Sequence, residues 1–292
     1  SAESIVDSSL VAYHVPRSAE AEVYRVARTS LMIANRKGSV GTMMMTSPQP
    51  GDGKSTTISN LAISFAGTGK RVLLIDADMR RPVISRLFGV DEHRGLADVL
   101  IGEASLEDAV VVSEVPGLDI MPNGLPTSEP AELLESHRLA ELLRAARQEY
   151  DLVLLDAPPL LAVADPAIIA PLVDSVVLTV RISKNGRRPV EHAARVLDDI
   201  GVQATAVVVN GVDQESTSSY GYGSYSEEQY GYIGQYHSHY AARAAASDTS
   251  RRAASDRSGV EPRCTQHAAA PIRPPVLADM DAIRTHETPT AP

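Results

Sequence analysis

Apolar positions along this chain fall into short continuous runs separated by segments with helical spacing. VGTMMMTS (40–47), KRVLLIDAD (70–78), LDIMPNG (118–124), DLVLLDAPP (151–159), DSVVLTVR (174–181) and ATAVVVNGV (204–212) read as strands. Between them, SNLAISFAGTG (59–69) reads as a helix ending at glycine. EPAELLESHRLAELLRAARQEY (129–150) reads as one or two helices, and RPVEHAARVLDDIG (188–201) as another. Ahead of the first strand, residues 20–36 place Val23, Ala27 and Leu31 at four-residue spacing, which predicts a further helix. Strands that are apolar throughout and alternate with helices are covered on both faces. The pattern therefore predicts an α/β fold, a mostly parallel sheet with helices on both faces.

The pattern also divides the chain. Residues 1–17 lack a period and are expected to be a linker, leaning towards an upstream membrane portion, and residues 18–213 form the folded domain. After Val212 the character changes. Tyr220, Tyr222, Tyr225, Tyr230, Tyr232, Tyr236 and Tyr240 lie among Gly, Ser and Gln in residues 214–240, in a chain with ten Tyr, two Phe and no Trp. A folded core would distribute its aromatics, so these rings are either a sticky low-complexity tail or a substrate. Residues 241–292 hold six Leu, Ile, Val or Met and no aromatic, too little apolar surface to offset ordering, so a disordered extension is expected.

Charge and composition narrow the partners. A net charge of −10 argues against nucleic acid or an anionic membrane as the main partner. The single cysteine, Cys264, excludes an internal disulfide and suits a reducing compartment. No apolar run approaches the roughly 18 residues of a membrane span, so this segment is expected to be soluble.

Three motifs carry chemistry. SPQPGDGKST (47–56) joins a strand to a helix, where glycines let backbone N–H groups converge and the helix dipole adds positive potential. Gly51, Asp52, Gly53, Lys54, Ser55 and Thr56 would bind phosphates, with Lys54 on the β- and γ-phosphates and the Ser55 hydroxyl on Mg²⁺. An ordinary Gly/Pro turn is the bland alternative, favoured only by Pro48 standing where the strict pattern wants glycine. IDADMRRP (75–82) puts Asp76 and Asp78 beyond a strand's carboxyl end, where open parallel sheets bind ligand. They suit a cation beside a triphosphate or acceptance of a hydroxyl proton, or else they cap a turn. LLDAPP (154–159) ends a strand at Asp156, either a Walker-B carboxylate or a strand-terminating turn. Glu22, Arg25 and Arg28 share one helical stripe, readable as a solvated face. Asn210 could read a base or start an Asn-Gly turn.

This ordered set, with the tyrosine-rich tail, resembles the cytoplasmic domain of bacterial tyrosine kinases (BY-kinases), which govern capsule and exopolysaccharide production. The resemblance spans roughly Ser18 to Tyr240. It implies a Rossmann-like P-loop NTPase fold and a protein-tyrosine autokinase that uses ATP and Mg²⁺. Lys54, Asp76, Asp78 and Asp156 would be catalytic, with Asp76 activating the tyrosine hydroxyl. Asp78, Asp156 and Ser55 would hold the metal, and the seven tail tyrosines would be phosphorylated in trans. Glu22, Arg25 and Arg28 match the family's Glu-x2-Arg-x2-Arg oligomerisation motif, which implies a ring. Further implied partners are a membrane-anchored portion or activator chain, a cognate phosphatase and the polysaccharide export machinery. The location implied is the cytoplasmic side of the inner membrane. The alternative is a switch ATPase of the deviant-Walker (partitioning and septum-site) type. Those proteins carry a signature lysine where this chain has Gln49.

Overall fold

The computed structural model describes residues 6–35, 41–91, 94–182, 187–211 and 276–278. Its strands are β1 (Thr42–Thr46), β2 (Val72–Asp76), β3 (Val111–Val112), β4 (Leu118–Met121), β5 (Leu152–Asp156), β6 (Ser175–Arg181), β7 (Ala206–Asn210) and β8 (Val276–Ala278). They form one sheet in the order β3-β4-β2-β5-β1-β6-β7-β8. The six inner strands run parallel; β3 and β8 are antiparallel to their neighbours. The helices are α1 (Val11–His14), α2 (Ala19–Ala34), α3 (Lys54–Ala66), α4 (Ile84–Phe88), α5 (Leu96–Ile101), α6 (Leu106–Ala109), α7 (Pro130–Glu135), α8 (His137–Glu149), α9 (Asp165–Ile169) and α10 (Arg187–Asp199).

Strand alternation sends successive side chains into two separate cores. Leu73 and Ile75 of β2 join Met44, Val153, Leu155 and Leu178 on one face, beneath Leu96, Leu134, Leu142 and Leu197. Leu74 joins Met43, Met45, Leu154 and Val177 on the other face, beneath Tyr24, Leu31, Ile58, Phe65 and Phe88. Burying each such side chain stabilises the fold by about 1.5–3 kcal/mol relative to leaving it in water. The expected two-faced parallel sheet is the one that forms.

Some boundaries differ from the sequence reading. Part of the segment expected to be a linker packs on the core: Val6, Leu10 and Val11 are buried, and the Asp7 N–H donates to the Leu87 carbonyl at 2.8 Å. A single helical turn is too short to show a period, so the chain pattern missed it. In α2 the buried stripe is Ala21, Tyr24, Ala27 and Leu31, with Val23 only partly covered. The 129–150 segment is two helices, split where Ser136 turns to ψ 146°. Helix α3 begins five residues before its apolar run, because Gly53 takes a left-handed φ of 91° and ends the phosphate-loop turn there. Finally, Val276–Ala278 adds to the sheet from within the extension expected to be disordered. The tyrosine cluster, 214–240, lies outside the described residues.

Candidate active site

Parallel strands β1, β2 and β5 are neighbours, so their carboxyl ends deliver the three motifs to one edge. Asp76 and Asp156 stand opposite each other in register at that edge. The loop from Ser47 to Gly53 leaves β1 beside them. It is tied down by Thr46 Oγ1, which donates to the Pro158 carbonyl at 2.6 Å, and by the Leu160 N–H, which donates to the Ser47 carbonyl at 2.8 Å. Gly51 and Gly53 hold φ of 83° and 91°, a region costly for side-chain-bearing residues. A Cβ at Gly51 would meet nothing within 4 Å, so the loop's surface there is open. The N–H groups from Gly51 to Thr56 donate to no described acceptor. These unspent donors at the N-terminus of a 13-residue helix fit an anion of phosphate type.

Lys54 does not point into open space. Its ammonium donates to Asp78 Oδ2 at 2.8 Å and lies 3.4 Å from Asp156 Oδ1 and 3.2 Å from Ser55 Oγ. Burial disfavours its charge, but the Asp156 and Asp78 carboxylates outweigh that and hold its pKa above the ordinary lysine value. Asp156 is fully buried; burial pushes its carboxyl pKa up, against the nearby Lys54 charge and the Ser55 hydroxyl. Two carboxylates and a hydroxyl around one ammonium form a hard-oxygen set that suits Mg²⁺. Such a cation takes one or two protein carboxylates and completes its shell with phosphate oxygens and water. No cluster of three His, Cys, Asp or Glu side chains closes on one position among the described residues.

Asp76 differs from its two companions. It is sealed from solvent. Its Oδ2 accepts from the Val83 and Ile84 N–H groups, both at 3.0 Å, and its Oδ1 accepts from the Asp78 N–H at 3.2 Å. Burial and the neighbouring Asp156 charge push its pKa up to about 7, against the pull of those N–H groups and Lys54. Asp76 thus shapes the turn that presents Asp78 and carries a carboxyl that exchanges its proton near neutrality.

Asn210 stands in neither of its expected roles alone. Its Nδ2 donates to the Asp52 carbonyl at 2.9 Å and to Thr57 Oγ1 at 3.1 Å, so the amide brings β7 onto the phosphate loop. A Cβ on Gly53 would meet that nitrogen at 2.5 Å, and Gly211, the next residue, holds a left-handed φ of 73°. Gln49 is exposed, and its N–H donates to Asp52 Oδ2. On α2, Arg25 pairs with Glu22 and also donates to the Pro16 carbonyl; Arg28 donates to the Ser64 carbonyl at 2.6 Å. That stripe therefore lies apart from the carboxylates, on the helix pair α2–α3.

One pair escaped the sequence reading. Arg80 grips the fully buried Asp165 through two parallel bonds of 3.0 Å, Nε to Oδ2 and Nη2 to Oδ1. It joins the turn that carries Asp78 to the helix that follows the Asp156 strand. The motif around Arg80 was visible, but its partner 85 residues away carried no signal beyond an Asp-Pro helix start.

A strand–turn–helix phosphate loop with carboxylates on the adjoining parallel strands defines a P-loop NTPase domain. Residues 30–204 match the AAA domain family. Within that class the chain belongs to the bacterial tyrosine-protein kinases. It is 37% identical over 219 residues to the tyrosine-protein kinase YwqD of Bacillus subtilis, covering 75% of this chain and 92% of that one. It is 42% identical to EpsB of Ralstonia solanacearum and 35% to the tyrosine-protein kinase wzc of Salmonella typhimurium, but spans only 30% and 31% of their lengths. Among solved structures, the kinase domain of the Escherichia coli tyrosine kinase ETK matches at 33% identity and a TM-score of 0.68, over 73% of this chain and 84% of that one. The BceF tyrosine kinase domain matches at 37% and 0.65, over 70% and 82%. A septum-site protein MinD from Pyrococcus horikoshii, complexed with Mg-ADP, shares the fold at 23% identity and a TM-score of 0.53.

Proposed function

We propose that this chain binds ATP with Mg²⁺ and transfers the γ-phosphoryl group to tyrosines of the 220–240 cluster on a neighbouring copy. The observation that carries this is the Lys54 ammonium resting on Asp78 and Asp156 beside unspent loop N–H groups. A cation already sits on the carboxylates, and among the described residues nothing accepts from the donors for phosphate. Mg²⁺, on the Ser55 hydroxyl and the Asp78 and Asp156 carboxylates, would offset charge on the β- and γ-phosphate oxygens. Lys54 turns from Asp78 to those oxygens, and the loop N–H groups bind the rest of the phosphate chain. The tyrosine oxygen forms a bond to the γ-phosphorus as the bond to the ADP oxygen breaks. The phenol proton, held with a pKa near ~10, passes to Asp76, the carboxylate poised nearest neutrality.

The other tyrosines of the chain support this choice of substrate. Three tyrosines lie outside the cluster, and each is engaged. Tyr24 is buried, which raises its phenol pKa. Tyr13 donates to Glu114 Oε2 at 3.0 Å, and Tyr150 donates to Asp119 Oδ2 at 2.9 Å. None is presented as a nucleophile. The Glu22, Arg25 and Arg28 stripe supports assembly into a ring that brings one copy's tyrosines to the next copy's site. Regulation of exopolysaccharide or capsule export, a membrane-anchored portion or activator chain, a cognate phosphatase and a position at the cytoplasmic face of the inner membrane belong to the same proposal. They rest on the family. Among the described residues, no helix is long and apolar enough to cross a membrane.

Phosphotyrosine mapping of the native chain beside Lys54→Met tests the assignment. Phosphate on Tyr220–Tyr240 of the native chain and none on the variant is expected. An unmodified native cluster with ATP hydrolysis intact would instead support a switch ATPase.

A further inference from the structure

Residues 6–14 carry no motif, yet they are bonded to both α3 and α4, the helices that follow the phosphate loop and the Asp76 strand. Val6, Leu10 and Val11 belong to the core that also holds Ile58 and Leu61 of α3 and Ile84, Leu87 and Phe88 of α4. Leu10 is fully buried there. The segment is also folded on itself. His14 Nε2 lies 2.9 Å from the Val6 carbonyl oxygen and 3.1 Å from that of Asp7, so the ring donates to both. The Ser9 N–H closes a turn on Asp7 Oδ1 at 2.8 Å. Residues 6–14 are thus a small unit with internal bonds, docked by apolar side chains.

Two polar links fix where that unit sits. The first reaches α3. Asn60 is fully buried and uses its whole amide. Its Nδ2 donates to the Ser9 carbonyl at 3.1 Å and to the Thr56 carbonyl at 2.9 Å, and its Oδ1 accepts from the Ala12 N–H at 2.9 Å. Losing any of these partners would leave a buried polar group unpaired, so the link is held. The second link reaches α4 and runs on to the site. The Asp7 N–H donates to the Leu87 carbonyl at 2.8 Å, the Leu87 N–H to the Val83 carbonyl at 3.0 Å, and the Val83 N–H to Asp76 Oδ2 at 3.0 Å. Three hydrogen bonds in series therefore join the segment to Asp76, through a helix of five residues. So short a helix keeps its place by tertiary contacts rather than by its own propensity. The phosphate loop is anchored separately, through Thr46, Leu160 and Asn210.

We infer that residues 6–14 are a positioning strap: tied to α3 by Asn60 and to α4 at Leu87, they set where the turn bearing Asp76 and Asp78 stands relative to the phosphate helix, and so govern the rate of transfer but not nucleotide affinity. The effect on transfer rests on the kinase reading; the mechanical link does not. Leu10 and Asn60 act through other groups and are positioning residues. When the strap lifts, α4 loses its hold at Leu87, and the Val83 and Ile84 N–H groups loosen from Asp76. A displacement on the order of 1 Å at reacting groups slows chemistry by about 10²-fold.

The link is read first in the native chain, by amide hydrogen exchange. Asp7 and Ala12 of the strap and Val83 and Ile84 of the Asp76 turn should share one opening free energy. Different opening energies for the two pairs overturn the link. The effect on transfer is read in two full-length variants. Leu10→Asp places a charge where the strap must enter the core, and Leu10→Met keeps the volume. In a single turnover at saturating ATP and Mg²⁺, counted per folded molecule, Leu10→Asp should be about 10- to 100-fold slower than the native chain. Leu10→Met should restore the native rate within about twofold, and both should bind ADP within about threefold of the native affinity. A segment that only stabilised the fold would leave the rate per folded molecule unchanged, and that result overturns the positioning role. A loss of ADP affinity as large as the loss of rate also overturns it. If Leu10→Asp does not fold, the exchange pattern still decides the link. If the native chain transfers no phosphate, the kinase reading falls, and exchange again decides the link by itself.

Discussion

Lys54, Asp76, Asp78 and Asp156 were each legible as candidates because each sits inside a short motif, the aspartates at or just beyond a strand end and Lys54 at the start of the helix that follows one. What the motifs could not show is how the four divide the work. Asp78 and Asp156 share the Lys54 ammonium, whereas Asp76 takes three backbone N–H groups and stands apart. That division gives a pH dependence. With a carboxyl pKa of about 7, Asp76 in its proposed role as the base can take a proton only once it has lost its own, so transfer should rise with pH through that region. Asp76→Asn should slow the single-turnover rate by about 10²–10⁴-fold and flatten the profile, with nucleotide affinity retained. The same shift has a cost in stability. Because the folded pKa lies above the unfolded 3.8, the native state holds this proton more tightly, and stability from Asp76 falls as pH rises from about 4 to about 7. Lys54→Met should deepen that fall. Asp78 and Asp156 would face each other without a counter-charge, a loss of about 3–5 kcal/mol near pH 8 that shrinks towards pH 4 as the Asp156 carboxyl, already pushed up by burial, protonates. Urea unfolding at the two pH values measures it; an equal loss at both would contradict the ion-pair geometry.

At the scale of elements, the long periodic segments declared themselves and the short ones did not. Every inner parallel strand is an apolar run in the sequence, and α2, α8 and α10 keep helical spacing over 13 residues or more. The elements α4, α5, α6 and β3 span two to six residues each, too few to establish a period. Their positions are set by tertiary contacts, as for Asp98. Its Oδ2 accepts from the Gly95 N–H at 2.9 Å and meets the loop at Gly124, where a Cβ would clash with it. The N-terminal segment hid for the same reason, its one turn held by Leu10 in the core. Arg80 and Asp165 show what such contacts contribute to the site, since they lock two loops that sequence places far apart. Arg80→Ala strands a fully buried carboxylate and should cost about 3–5 kcal/mol, more than Asp165→Ala, which removes that charge and leaves a half-exposed guanidinium. Chemical denaturation of the two variants gives the order; the reverse order would mean the pair does not hold these loops.

For the whole molecule, the α/β class followed from the alternation of apolar runs and helices, and the family from the order of its motifs. The domain edges were less legible. A boundary at Val212 is visible as a change of composition, but a three-residue strand beyond Pro275 is not, because its pairing with β7 is specified by the edge it covers. Phosphorylation would act on the same scale. Each phosphotyrosine adds about −1.5 to −2 charges, so in the proposed ring a modified cluster would repel an already acidic neighbour and loosen the assembly. Size measurements should give a smaller species for the phosphorylated chain than for the phosphatase-treated one; equal sizes would contradict this. The central claim, that one copy's site modifies another copy's cluster, is tested most directly by mixing the native chain with a Lys54→Met chain of distinguishable mass, adding ATP and Mg²⁺, and locating phosphate on the inactive chain. Phosphate on Tyr220–Tyr240 of the Lys54→Met chain is the expected result. An unmodified Lys54→Met chain, in a mixture where the native chain consumes ATP, would contradict it.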